Sequence, residues 1–468
     1  MNIETLAAKY SAIPPHWVLS TLGESLSGII GGGTPSRDNP SFWGGDIPWL
    51  TVKDMRGRRP TDAQEHITQQ AVKDSATNII PPDTVIIASR VGLGKVVRVP
   101  FAAAINQDLK ALVVGPDLDK SYLEYWLVSI ATFLESIGSG TTVKGIRLET
   151  LRQLPIPLAP LHEQREIVAE LEKQFSRLDE AVANLQRVKA NLKRYKASVL
   201  KAAVEGRLVE TEASLARRES RTCETGEQLL LRILEERRAK WAGKGKYKEP
   251  VKADGMGAVP EGWTNASLDM LSTDSGYGTS QKCGYENYGP VVLRIPNVQH
   301  GVLDLHDLKF APTEFKLSQS DAVSAGDMLI IRTNGSKSLI GRAAVVMAGP
   351  QRKMSFASYL IRFRLSSADC ISAWVSVVWQ TSQMRQWIEA HAATSAGQHN
   401  VSMTVLAKAN IPVPPVAEQA RIVAEVDRHL SIIREVEAEV DTNLKRAQAL
   451  RQSTLAKAFG IQSTQSEH

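Results

Sequence analysis

The chain is short of the residues from which many enzyme and membrane signals are built. It has three cysteines in 468 residues, Cys223, Cys283 and Cys370, with no CxxC and no Cys/His spacing. That supports neither a disulfide framework nor a zinc site, and a reducing compartment is the natural reading. The nine histidines never pair at metal-ligand spacing, so no metal site is expected. No apolar run approaches the ~18–20 residues of a membrane span. Met1-Asn2-Ile3-Glu4-Thr5 lacks the basic start and apolar core of a signal peptide. A cytoplasmic protein with no membrane contact is expected. Charge of one sign is barely in excess, 56 Lys+Arg against 50 Asp+Glu. A net charge of +6 permits an acidic partner such as DNA without demanding one.

What the chain does have is a repeat. The stretch from Pro160 to Gly206 begins Pro160-Leu161-His162-Glu163-Gln164-Arg165-Glu166-Ile167-Val168, and Pro415-Val416-Ala417-Glu418-Gln419-Ala420-Arg421-Ile422-Val423 opens a second copy. Glu163 and Glu418 stand 255 residues apart, and so do Ser198 and Ser453, so the copies align without a gap. Leu171, Phe175, Leu178, Val182, Leu185, Val188, Leu192, Tyr195 and Val199 advance mostly by alternating steps of four and three, the spacing of a coiled-coil seam. Val426, Leu430, Ile433, Val436, Val440, Leu444 and Ala447 give the second copy a similar stripe. Each copy therefore predicts a helical rod of some 40 residues, roughly 60 Å long at 1.5 Å per residue. Two equal rods can bury their stripes against each other, within one chain or between two.

The chain divides accordingly into a globular unit at 1–158, a rod at 159–206, a charged linker at 207–258, a second globular unit at 259–413, a rod at 414–460 and a tail at 461–468. In the first unit Ile47 to Val52 reads as a strand, and Thr84 to Ala88 with Lys95 to Val99 as a hairpin. Leu109 to Val114 reads as another strand and Ser121 to Ile137 as a helix. The linker, with Arg217-Arg218-Glu219 and Glu235-Glu236-Arg237-Arg238, looks solvated apart from a short helix around Leu229 to Leu234. The second unit opens like the first, Trp263 matching Trp17. Gly326-Asp327-Met328-Leu329-Ile330-Ile331-Arg332 parallels Pro82-Asp83-Thr84-Val85-Ile86-Ile87-Ala88, and Ile411-Pro412-Val413 parallels Ile156-Pro157-Leu158.

Taken in order, these motifs resemble the specificity subunit of type I restriction–modification systems. The resemblance is carried by Gly32-Gly33-Thr34-Pro35-Ser36, Ile47-Pro48-Trp49 and Lys53-Asp54, and by Gly140-Thr141-Thr142 with Leu154-Pro155-Ile156-Pro157. The two Pro-x-x-Glu-Gln-x-x-Ile rod starts complete it. The second unit departs from the pattern, with Tyr277-Gly278-Thr279-Ser280 in place of a Gly-Gly-Thr-Pro-Ser copy. The resemblance implies an α+β chain of two similar target-recognition domains, mixed β-sheet with helices. Two long helices forming an antiparallel coiled coil would separate the domains, with pseudo-two-fold symmetry. It implies recognition of a bipartite double-stranded DNA target with a non-specific spacer. It also implies partners: two modification subunits that methylate adenine with S-adenosylmethionine, and restriction subunits, the motor–nucleases, that use ATP and Mg. The chain itself would bind no cofactor. Two alternatives stand beside this reading. One is a specificity subunit for fused cleavage–methylation subunits; the other is a coiled-coil scaffold that binds no DNA.

The residues agree that catalysis lies elsewhere. No Asn/Asp-Pro-Pro-aromatic run, which an adenine methyltransferase needs, is present. Gly92-Leu93-Gly94-Lys95 is followed by valine, so it is a hairpin turn in place of a phosphate loop. Asp83, Asp108 and Lys110 resemble a nuclease triad only as closely as chance triplets do. DNA contact is the positive expectation, since Arg and Lys read guanine, Asn and Gln read adenine, and phosphate contacts fix position. The candidates in the first unit are Thr34, Ser36, Arg37, Lys53, Arg56, Arg58, Arg59, Ser89, Arg90 and Lys144. Those in the second are Lys282, Arg294, Asn297, Gln299, Arg332, Asn334, Lys337, Gln398 and Asn400. Trp17, Trp49 and Trp263 are expected as core anchors.

Overall fold

The β-branched runs read as strands in the first unit become strands, and a main sheet of the same strand order forms in each unit. The computed structural model describes residues 2–139, 144–239, 241 and 246–462, apart from 287, 300, 320, 348, 350–351, 367–370 and 396. It divides into two compact units, residues 1–187 with 440–468, and residues 188–439.

The first unit carries strands β1 (Val18–Thr21), β2 (Leu26–Gly31), β3 (Trp43–Leu50), β4 (Glu65–Ile67), β5 (Ile79–Ile80), β6 (Val85–Ala88), β7 (Val96–Arg98), β8 (Ala103–Ile105), β9 (Leu109–Val114) and β10 (Pro155–Leu158). An antiparallel sheet runs β2-β9-β6-β7. The expected hairpin is β6–β7. Alternation splits β6 between two cores: Val85 and Ile87 pack with Tyr122, Trp126 and Leu134 on one face, Ile86 and Ala88 with Leu50 and Leu109 on the other. A second sheet, β4-β3-β8-β5, contains a parallel β3–β8 pair. The expected helix over 121–137 is two helices, Lys120–Ser129 and Ala131–Ile137. The break sits beside Ser129, whose hydroxyl donates to Trp126 O at 2.6 Å and competes for a helical acceptor.

The second unit carries β11 (Thr264–Ser267), β12 (Ser272–Tyr277), β13 (Val291–Leu293), β14 (Lys309–Phe310), β15 (Asp327–Ile331), β16 (Thr333–Asn334), β17 (Ala343–Val345), β18 (Met354–Phe356), β19 (Leu360–Leu365), β20 (Ala393–Ser395), β21 (Gln398–Asn400) and β22 (Asn410–Val413). Its main sheet, β12-β19-β15-β17, repeats β2-β9-β6-β7, and β11–β22 repeats β1–β10. A parallel β13–β18 pair repeats β3–β8. The pairing shifts the expected match of Gly326 by one residue. Val85 faces Arg98 and Met328 faces Val345, which places Gly326 opposite Asp83. Both have positive φ, 84° and 61°, at the turn into the strand.

The rods are continuous helices, Leu161–Val204 and Val416–Ala458. Leu171 and Phe175 share the first unit's core with Leu455 and Phe459, so the start of one rod meets the end of the other. In the second unit Val199 and Leu200 share a core with Ile422 and Val426. The rods therefore pair antiparallel within one chain.

The short helix expected in the linker is present, longer than the sequence suggests and packed into the fold. Helix Gly226–Ala239 buries Leu229, Leu230 and Ile233 in the second unit's core. Its start is a capping box: Gln228 N donates to Thr225 Oγ1 at 3.2 Å and Thr225 N to Gln228 Oε1 at 2.8 Å. A Cβ on Gly226 would lie 2.1 Å from Val413 O, so glycine lets this helix press onto β22.

Candidate nucleic-acid interface

One corner of the main sheet is built from the same main-chain bonds in both units. In the first, β2 ends at Gly31 and turns through Gly32, where a Cβ would lie 2.1 Å from Ile105 O. Gly33 N donates to Ile105 O at 3.0 Å, Ser89 N to Asp108 O at 2.8 Å, and Ile146 N to Ser89 O at 2.8 Å. In the second, β12 ends at Tyr277 and turns through Gly278, where a Cβ would lie 2.2 Å from Phe356 O. Thr279 N donates to Phe356 O at 2.8 Å, Arg332 N to Tyr359 O at 2.9 Å, and Val401 N to Arg332 O at 2.9 Å. The departure at Tyr277-Gly278 thus keeps the glycine that the turn requires.

The frame is shared and the side chains on it differ. Where the first unit sets Gly31, Ser89 and Asp108, the second sets Tyr277, Arg332 and Tyr359. Arg90 bridges Gly145 in one unit, and Thr333 pairs with Asn400 at the equivalent place. In the first unit's corner Arg90 lies 3.6 Å from Asp108, Thr34 donates to Gln107, and Lys110 donates to Gln107 O and Leu109 O at 3.2 Å. Burial pushes the Lys110 ammonium below its ordinary pKa. In the second unit's corner the Arg332 guanidinium lies 4.7 Å from the Tyr277 ring centroid, and the β16-β21-β20 sheet brings Asn334, Gln398 and Asn400 together.

The predicted contact residues separate by what already occupies them. Thr34, Ser36, Lys53, Arg56, Arg90 and Lys144 are exposed in the first unit, as are Lys282, Lys337 and Gln398 in the second. Arg332, Asn334 and Asn400 are half-buried at the corner. Others are framework. Ser89 is buried and donates to Asp108 O. Asn297 is buried, donating to Asp304 O and Asp307 O at 2.9 Å and accepting from Arg294 N. Arg58 and Arg59, with Arg98, converge on the fully buried Glu124. Arg37 forks onto Glu65 and lies 3.8 Å over the Trp43 ring, clamping the glycine loop. Arg294 pairs with Asp307 at 2.9 Å, and Gln299 donates to Pro296 O at 2.8 Å. Composition does not reveal which arginine has a carboxylate beside it. The corner also presents Tyr277 and Tyr359, each about half exposed at 47% and 49%, which are not among the sequence candidates. Tyr277 could have been found, because it fills the break in the glycine motif.

The stretches weighed for other chemistry have structural partners. Gly92 to Lys95 turns between β6 and β7, with Ala88 N donating to Lys95 O at 3.0 Å. Asp83 is paired with Arg98 and Lys120, and Asp108 with Arg90. Trp49 and Trp263 are buried as expected, whereas Trp17 is half-buried. The loop Gly140-Thr141-Thr142 lies outside the described residues. Among the described residues no helix is long and apolar enough to cross a membrane.

The chain is thus a duplicated protein in which one main-chain frame carries a different set of side chains in each unit and the rods pair antiparallel inside each unit. Residues 14–193 match the family described as type I restriction modification DNA specificity domain. The chain is 24% identical to the type I restriction enzyme StySPI specificity subunit of Salmonella potsdam, over 96% of this chain and 89% of that one. It is 22% identical to the EcoKI specificity subunit of Escherichia coli K12 over the same shares. The fold is also similar to a solved chain from work on complex assembly and conformational transition of the type I R-M system. The TM-score is 0.63 at 17% identity, covering 96% of this chain and 98% of that chain. Residues 14–193 thus carry a type I restriction modification DNA specificity domain, and the chain over nearly its whole length is similar to specificity subunits of type I restriction enzymes.

Proposed function

We propose that this chain is the non-catalytic, sequence-specific DNA-binding subunit of a type I restriction–modification enzyme. Each unit reads one half of a bipartite target, and the rods hold the non-specific spacer between the halves. The observation that carries the reading is the shared corner: a conserved main-chain frame with Gly31, Ser89 and Asp108 exchanged for Tyr277, Arg332 and Tyr359. A frame kept while its display changes suits two readers of different sequences. Exposed Lys53, Arg56, Arg90 and Lys144 supply phosphate and base contacts in the first unit. Lys282, Arg332, Asn334, Lys337, Gln398 and Asn400 do so in the second, with Thr34 and Ser36 as polar contacts on the glycine loop.

Methylation of adenine and cleavage belong to partners in this reading. Two modification subunits bind S-adenosylmethionine, and motor–nuclease subunits bind ATP and Mg, in the cytoplasm. The test is to purify the chain with its modification subunits and map methylated adenines. A split motif that depends on this chain is expected. Methylation without a split motif, or without this chain, rejects the reading.

A further inference from the structure

We propose that Arg332, held over Tyr277, is the guanine-reading residue of the second unit. The inference rests on the DNA-reading role above and names the chemistry of one of its contacts.

Arg332 is fixed at its root. Its N–H donates to Tyr359 O and its carbonyl accepts from Val401 N, both at 2.9 Å, so its Cα is held between the turn before β19 and the residue after β21. Its head is oriented without being neutralised. The guanidinium sits 4.7 Å from the Tyr277 centroid, a cation–π contact that sets the plane of the fork.

Four neighbouring arginines are spent inside the fold, whereas Arg342, bonded to Ile331 N through its carbonyl, shares the buried unpartnered Nε of Arg332 but has no ring contact among the described residues. Arg294 pairs with Asp307, Arg362 with Asp274, Arg364 with Asp327 and Arg385 with Glu389. Arg332 has no carboxylate partner among the described residues, and its Nε–H is buried without an acceptor. Asn400, opposite Thr333, has a buried Oδ1 likewise unpartnered. Buried polar atoms are normally satisfied, so these two leave hydrogen-bonding capacity unused at the half-buried corner, and the missing carboxylate and the Tyr277 ring are what set Arg332 apart from Arg294 and Arg362.

The ligand that fits is the major-groove edge of guanine. Its O6 and N7 are two acceptors matched to the parallel N–H groups of a guanidinium. The equivalent positions in the first unit are Gly31 and Ser89, which provide neither ring nor cation. The contact therefore belongs to one half of the target only.

The test uses the full chain in complex with its modification subunits. Equilibrium binding is measured on duplexes carrying the mapped target, with each G·C pair replaced singly by A·T. Wild type should lose roughly ten- to a hundredfold at one guanine of the second unit's half-site, the discrimination a bidentate pair supplies. Arg332→Ser carries the residue that the first unit places on the same frame. It should bind both duplexes within about twofold at that position and keep its discrimination elsewhere.

Arg332→Lys covers the case in which the serine variant misfolds. It keeps the charge and loses the fork, so non-specific binding should remain while discrimination falls at the same pair. Full discrimination by either folded variant overturns the proposal. So does a loss spread over both halves, or a second-unit half-site with no G·C pair. A wild-type complex with no split target overturns the underlying DNA-reading role as well. A split target with unaltered discrimination in the variants overturns only the assignment of Arg332.

Discussion

Trp263 donates its indole N–H to Glu418 at 3.0 Å, and Trp17 makes the same bond to Glu163 at 3.0 Å. The Glu-Gln pair at each rod start is thus a structural latch. The carboxylate takes a tryptophan from the globular part. The glutamine donates to the main chain five residues back, Gln164 to Ala159 O and Gln419 to Pro414 O, both at 2.8 Å. These motifs tie the start of each rod to the globular part of its unit.

The two latches should respond oppositely to pH. Hydrogen bonds from His16 and then Trp17 hold Glu163 below the usual carboxylate range, while burial pushes Glu418 above it. The stability contributed by Glu163 is present above its unfolded pKa and is lost as pH falls through its lower folded value. Glu418 is the reverse: the fold favours its protonated form, so stability declines as pH rises from the unfolded value of about 4.3 toward the raised folded one. Glu418→Gln should flatten that decline in the second unit, even though one acceptor for Glu212 N–H is lost. Tryptophan fluorescence during urea unfolding at stepped pH reads it, and an unchanged slope refutes it.

Glu124 is fully buried beneath Arg58, Arg59 and Arg98. Removing one member of a buried ionic cluster leaves uncompensated charge and costs about 3–5 kcal/mol. Glu124→Ala should destabilise the first unit by that order in chemical denaturation. Arg59→Ala should lower stability without changing the methylated sequence; an altered motif would return Arg59 to the DNA surface.

Gly32 and Gly278 meet carbonyl oxygens at 2.1 and 2.2 Å from a built Cβ, whereas Gly28 has nothing within 4 Å. Gly32→Ala and Gly278→Ala should each weaken recognition of one half-site and lower the melting temperature. Gly28→Ala should stay within about 0.5 kcal/mol of wild type. Equal effects at all three positions would show that the close approach is not what matters.

Exchanging the second unit for that of a relative should change one half of the methylated motif. The exchange should be better folded when it spans 207–413 than 259–413, because Leu229, Leu230 and Ile233 belong to that core. Thermal melting of the two chimaeras decides it, and a more stable 259–413 exchange counts against the packing described.

The rods were legible because a heptad repeat survives in a single sequence, and the β-branched runs gave the main-sheet strands. The linker helix was legible around Leu229 to Leu234, but its full span and its burial were hidden by charge: Arg232, Glu235 and Glu236 crowd the same stretch as the buried leucines. The helix break at Ile130 depended on a serine hydroxyl whose direction no pattern shows. At the interface, charge type marked the candidates, but burial sorted them. Arg58 and Arg332 look alike in sequence, and only the placement of Glu124 makes one a strut and leaves the other available.

The first unit is assembled from both ends of the chain. Leu455 and Phe459 complete its core, and Gln462 N donates to Lys9 O at 3.0 Å. The second unit is one contiguous stretch, 188–439. During synthesis on the ribosome the head made first is therefore finished last. A nonsense mutation shortly after residue 440 would spare the residues of the later-made head and deprive the earlier-made one of its closing aromatic.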